Sequence, residues 1–129
     1  AVIPKFINLM LQNKIPKING DGSYSRDFKF IENVVSANIL ALSTQNQESF
    51  GKVVNIGAGG RVTILRLFNV LKDLMNFEKN PIFGNHREGD IPHSNANFDL
   101  GKKLINYEPL VNFEEGIRRT LEYYLSNLS

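Results

Sequence analysis

Lys52-Val53-Val54-Asn55-Ile56-Gly57-Ala58-Gly59-Gly60-Arg61-Val62-Thr63-Ile64-Leu65-Arg66-Leu67-Phe68 holds the signals that decide the fold class of this 129-residue chain. Lys52 to Ile56 have the make-up of a buried strand. Gly57 to Gly60 follow as a tight loop. Thr63 is then placed to cap a helix whose Ile64, Leu67, Phe68, Leu71, Leu74 and Met75 form an uninterrupted apolar face. Strand, glycine loop and amphipathic helix in succession predict an α/β fold.

Upstream of that stretch, Ile3, Phe6, Ile7, Met10 and Leu11 recur at helical spacing, with Pro4 tolerated in the first turn. Ile15 to Asn19 and Tyr24 to Phe30, on either side of Gly20-Asp21-Gly22-Ser23, read as the two strands of a hairpin. Val35, Asn38, Ile39 and Leu42 mark the buried stripe of a second helix, which the polar run Ser43 to Ser49 ends. Downstream, Pro81 to Phe83 read as a short strand stopped by Gly84, and His86 to Asn95 as a polar loop. Asp99 is expected to cap a short helix running to Ile105. Asn112 and Glu115 make a capping box for a last helix that buries Phe113, Ile117, Leu121, Tyr124, Leu125 and Leu128.

The bulk properties fit one compact domain, residues 1–129, since 42% hydrophobic residues close a core. The net charge of +2 is scattered, which points away from a nucleic-acid face. No cysteine is present, so disulfides and thiolate chemistry are excluded; a cytoplasmic location is expected. No apolar run reaches the roughly 20 residues that span a bilayer, and the basic start of a secretory signal is missing. An amphipathic pattern starts at once from Ala1, which reads as a piece of something longer.

Catalytic chemistry is hard to find. Gly20-x-Gly22 and Gly57-x-Gly59-Gly60 lack the third glycine of a dinucleotide fingerprint and read as turns. There is no Tyr-x-x-x-Lys, no P-loop and no histidine pair spaced for a metal. His86 and His93 read as solvated loop residues. Arg26 in Ser25-Arg26-Asp27-Phe28 either faces a phosphate or pairs with a carboxylate, and Arg87-Glu88-Gly89-Asp90, on its own, is a charged turn.

In order along the chain, however, Ala1 to Phe6, Asn19-Gly20-Asp21-Gly22, Ser25-Arg26-Asp27-Phe28, Glu32-Asn33-Val34-Val35, Asn55-Ile56-Gly57, Arg87-x-Gly89-Asp90 and Tyr107-x-Pro109 resemble the C-terminal part of the extended short-chain dehydrogenase/reductases, the nucleotide-sugar epimerases and dehydratases. Asn33, the Gly59-Gly60-Arg61-x-Thr63 loop and the run Gly89 to Ser94 are most similar to the UDP-N-acetylglucosamine 4-epimerase branch. The resemblance implies a substrate-binding domain of helices, short strands and a hairpin, with the Rossmann half absent.

It also implies roles. Val2, Ile3 and Pro4 with Lys17, Ile18 and Asn19 hold the uracil, Arg26 and Arg87 clasp the diphosphate, Asp90 receives the ribose hydroxyls, and Val62 flanks the nucleoside. The reaction implied is hydride removal from sugar carbon 4 by NAD and its return to the other face. NAD and the proton-transfer residues belong to an N-terminal half, which is therefore the expected partner alongside a UDP-sugar. The intact enzyme is expected to be a dimer, and this chain alone inactive. A sister dehydratase or decarboxylase, or a free-standing sugar-nucleotide-binding module, stands as the alternative.

Overall fold

The computed structural model describes residues 1–127. In chain order the elements are α1 (Val2–Leu11), β1 (Lys17–Asn19), β2 (Ser25–Arg26), α2 (Ile31–Ser43), a 3-10 turn (Gln47–Ser49), β3 (Val62–Thr63), α3 (Ile64–Leu74), β4 (Ile82–Gly84), β5 (His93–Ser94), α4 (Asp99–Ile105) and α5 (Phe113–Ser126). This is the α/β arrangement of helices with short strands that the sequence predicts. Among the described residues no helix is long and apolar enough to cross a membrane.

Local chemistry sets the helix ends. Pro4 is the third residue of α1, where its missing N–H is no loss. Thr63 caps α3 as expected, its hydroxyl accepting from the Arg66 N–H at 3.1 Å. α1, α3 and α4 are terminated by asparagines in the left-handed region, Asn13, Asn76 and Asn106, rather than by glycine. After α1 the Lys14 N–H reaches back to the Leu9 carbonyl, and after α3 the Phe77 N–H to that of Lys72, so the orphan carbonyls are satisfied.

Two apolar clusters result. The larger joins Phe6, Ile7 and Met10 of α1, Ile18 of β1, Leu67, Phe68 and Leu71 of α3, Phe77, and Ile117 and Leu121 of α5. Phe68 is its centre, edge-on to Phe6 at 6.2 Å and to Phe77 at 6.5 Å. The smaller holds Ala37 of α2, Leu104 and Ile105 of α4, and Tyr107, with Val54 and Ile56 packed against it.

The structure departs from the sequence reading in several places. β1 and β2 are not a hairpin. β1 pairs in parallel with β4, Ile18 opposite Phe83, while β2 lies between β3 (antiparallel, Arg26 opposite Val62) and β5 (parallel, Ser25 opposite His93). Gly20 and Gly22, with φ of +71° and +82°, turn the chain away from β1, and the Gly22 and Tyr24 carbonyls take the first N–H groups of α3's entry instead.

Lys52 to Ile56 form no strand, and Val53 is 90% exposed. Val35, Ile39 and Leu42 of α2 face outward, since α2 buries Asn33 and Ala37 instead. Asp99 is the first residue of α4 rather than its cap, and Asn97 takes the Asp99 N–H on its side-chain oxygen at 2.7 Å. Half of the last capping box forms: Asn112 accepts from the Glu115 N–H at 3.0 Å, but the Glu115 carboxylate turns to Arg118 and Arg119. α5 buries Ile117 and Leu121 as expected, Leu125 is half exposed, and Leu128 lies outside the described residues.

Candidate functional site

β2 is the central strand of its sheet, and it delivers Arg26 to the segment that precedes β5. The Arg26 guanidinium donates from Nη2 to Asp90 Oδ1 at 2.6 Å, and from Nη1 to the carbonyls of Ile91 (2.7 Å) and Ser25 (2.9 Å). Its Nε–H and one Nη2 hydrogen have no acceptor among the described residues. The pair is partly open, with side chains 27% and 34% exposed. Asp90 closes a turn with its N–H on the Arg87 carbonyl at 3.1 Å, Gly89 supplying a φ of +77°. The Arg87 side chain is exposed and bonds nothing among the described residues. Arg26, Arg87 and Asp90 are thus gathered into one neighbourhood from two distant parts of the chain.

A polar frame backs this cluster. Asp27 accepts from the Ala58 N–H at 3.1 and 3.2 Å and from that of Ala96 at 3.4 Å. Gly57 must be glycine here, because a Cβ would sit 2.7 Å from both the Ala96 carbonyl and the Asp27 carboxylate. The Tyr107 hydroxyl donates to the Gly57 carbonyl at 2.7 Å; burial, and then the Asp27 carboxylate, push its pKa upward. Asn33 is fully buried and uses both ends of its amide, accepting from Leu110 N–H (2.8 Å) and Val111 N–H (2.9 Å) and donating to the Val111 carbonyl (2.8 Å). Sequence position gives little notice of these contacts, which join residues far apart in the chain.

The other candidates fall around this frame. Val62 is buried opposite Arg26. Ile18 is fully buried, so β1 can offer a ligand only its backbone and the exposed Lys17 and Asn19. Among the described residues β1 has one strand partner, β4, and no backbone hydrogen bond on its other edge. An open cleft of about 470 Å³ is lined by Gly20 and Asp21, which follow β1, by Phe83 and Gly84 of β4, and by Asn85 and His86. Val2, Ile3 and Pro4 form the first turn of α1, with Ile3 in a separate hollow of about 150 Å³ against Phe28, Phe30 and Phe113. No hydrogen bond among the described residues ties that turn to the Arg26–Asp90 pair.

The histidines are exposed but not idle. His93 Nδ1 lies 2.9 Å from the hydroxyl of buried Ser25, and the His86 ring stacks on Tyr24 at 4.6 Å. Both side chains are exposed, as the solvated reading expects, while His93 lies in β5 rather than in a loop.

Neither glycine turn fits a dinucleotide. The Ala58 N–H, which a pyrophosphate would need, is already taken by the Asp27 carboxylate, and Gly60 leads into β3 rather than directly into a helix.

The NAD dependent epimerase/dehydratase family matches residues 1–57. Over the whole chain the fold superposes on the UDP-glucose 4-epimerase of Thermotoga maritima with UDP-glucose, at TM-score 0.91 and 34% identity, covering 100% of this chain and 40% of that one. The UDP-N-acetylglucosamine 4-epimerase of Methanobrevibacter ruminantium, in complex with UDP-N-acetylmuramic acid, superposes at TM-score 0.89 and 35% identity, covering 99% and 40%. The dTDP-D-glucose 4,6-dehydratase of Mus musculus is 31% identical over 132 residues, 98% of this chain and 36% of that protein. Residues 1–57 thus match the NAD dependent epimerase/dehydratase family, and the chain as a whole is similar to part of these nucleotide-sugar epimerases and dehydratases. It spans about 40% of the length of the first of these relatives, and its fold is that of the part of them that it covers.

Proposed function

We propose that this chain is the nucleotide-sugar-binding portion of a cytoplasmic NAD-dependent UDP-N-acetylhexosamine 4-epimerase. The observation that supports the reading is the partly open Arg26–Asp90 pair at 2.6 Å, with the Asp90 N–H on the Arg87 carbonyl at 3.1 Å. Arg26 and Arg87 clasp the diphosphate, the free Asp90 oxygen receives ribose hydroxyls, and the free edge of β1 with the first turn of α1 reads the uracil. Val62 supports the nucleoside from behind Arg26. The relative crystallised with UDP-N-acetylmuramic acid supports an N-acetylated sugar.

NAD supplies oxidation at sugar carbon 4 and return of the hydride. This chain's residues contribute binding and orientation, while cofactor and proton transfer belong to an N-terminal dinucleotide-binding half, through which the enzyme dimerises. The exposed face of α2 with Ile39 and Leu42, where Leu110 shares a hollow with Ile39, is the surface we assign to that half. The dehydratase relative keeps a sister reaction in view, because a nucleotide clamp serves either chemistry.

Titrating the chain with UDP and with uridine tests the clasp. Each charge-assisted contact contributes about 1.5–3 kcal/mol when desolvated, so Arg26→Ala or Arg87→Ala weakens UDP binding about tenfold or more and leaves uridine unchanged. Equal affinities of the wild type for the two ligands would end this reading. Incubation with NAD and UDP-N-acetylglucosamine, followed by NMR of the sugar, is expected to give no galacto product from this chain alone.

A further inference from the structure

We propose that His86 positions Arg87 for the diphosphate, its ring acting as a wedge that pins the loop between β4 and β5; this rests on the role of Arg87 given above. The Arg87 side chain bonds nothing among the described residues, and Arg87 lies in a stretch without regular structure. An arginine on a loose loop loses much rotamer and backbone freedom when it closes on an anion, and that loss weakens binding.

The residue before it removes part of the cost in advance. The His86 ring stacks on Tyr24 at 4.6 Å with 28° between the planes. The ring also covers Gly20, where an added Cβ would clash with Cε1 and Nδ1. Gly20 is itself fixed, with φ +71° and its N–H on the Gly84 carbonyl at 2.8 Å. Tyr24 is fixed by its carbonyl, which accepts from Ile64 N–H at 2.9 Å, and leads directly into Ser25 and Arg26 of β2. On the far side of Arg87 the turn to Asp90 and the Arg26–Asp90 pair form a second anchor.

Arg87 is therefore held at both ends of its short segment, and both anchors refer it to the strand that carries Arg26. Neither ring nitrogen of His86 makes a hydrogen bond among the described residues, so the aromatic face, and not the imidazole proton, does the holding. His86 touches no reacting atom in this scheme; it acts through Arg87.

Four variants of the chain decide the matter: His86→Ala, His86→Phe, Arg87→Ala and the double alanine. In the ligand-free chain, the NMR order parameter of the Arg87 amide is expected to drop below about 0.6 in His86→Ala and to recover in His86→Phe. UDP affinity falls about threefold to tenfold in His86→Ala, uridine affinity stays, and His86→Phe restores UDP binding. The double variant is no weaker than Arg87→Ala, because the two residues act in series. An unchanged Arg87 order parameter in His86→Ala, additive losses in the double variant, or failure of His86→Phe to rescue overturns the proposal while leaving the role of Arg87 intact. UDP binding indifferent to Arg87→Ala overturns that role and this inference with it.

Discussion

At the scale of single residues, the chain spends its buried polarity on joining distant segments. Asn33 is the clearest instance, since an amide both accepts and donates where a carboxylate only accepts. Asn33→Ala strands two buried N–H groups and a carbonyl of the Leu110–Val111 segment, and a loss of about 2–4 kcal/mol in urea unfolding is expected. A loss below about 1 kcal/mol would mean that water replaces the amide. Asn33→Asp keeps the two acceptor contacts, orphans the Val111 carbonyl, and should fall between wild type and alanine. Tyr107 to Gly57 and Asp27 to Ala58 do the same work, so landmark segments first recognised only by their order turn out to be bonded to one another. The identities of Arg26, Arg87 and Asp90 were legible as candidates, whereas the direct Arg26–Asp90 bond was not, because pairing with a carboxylate and facing a phosphate were weighed as alternatives. The structure shows the first, and the guanidinium hydrogens left over permit the second.

At the scale of elements, α5 shows a charge device on an exposed helix. Hydrogen bonds from Arg118, and then from Arg119, hold the Glu115 carboxyl down at about 2, below its ordinary 4.5. A carboxylate whose folded pKa is depressed adds stability above its unfolded value and loses it as the pH falls toward the folded one. The unfolding midpoint should therefore decline between pH 4.5 and about 2, and Glu115→Gln should flatten that decline while lowering the midpoint at pH 6. An unaltered acid limb in the variant would show that solvent screening cancels the effect. Helices and their caps were readable because i, i+3 and i+4 spacing and cap hydrogen bonds are local: Thr63 and Asn112 both accept as expected. Strand partners were not, since nothing near Lys17 says that it will lie beside Ile82. The stripe Val35, Ile39, Leu42 illustrates the opposite limit, because periodicity reports that a face is apolar and says nothing of what covers it. His86 escaped for a related reason, a ring stack between distant residues leaving no repeating pattern.

For the whole molecule, the exposed apolar side bears on behaviour in solution. Leu42 is 89% exposed and Val53 90%, with Ile39 and Leu110 lining a shared hollow of about 540 Å³. Patches of that kind drive association when their usual cover is absent. Sedimentation of the chain is expected to depend on concentration, and Leu42→Lys combined with Val53→Lys to move it toward monomer without changing UDP affinity. A clean monomer at high concentration for the unmodified chain would remove the main physical support for a covered face.

The two apolar clusters also divide the molecule in time. The larger buries ten side chains from α1, β1, α3 and α5 with Phe77, the smaller only four from α2, α4 and Tyr107. Opening free energy follows local burial, so amide protons of α2 and α4 should exchange with deuterated solvent well before those of α1 and α3. The Asp27–Ala58 and Tyr107–Gly57 bonds sit on the seam between these regimes, one strand residue from Arg26. Nucleotide bound at Arg26 should then slow exchange in the less protected cluster more than in the other, so that a ligand gripped at one edge quiets the half of the fold it does not touch.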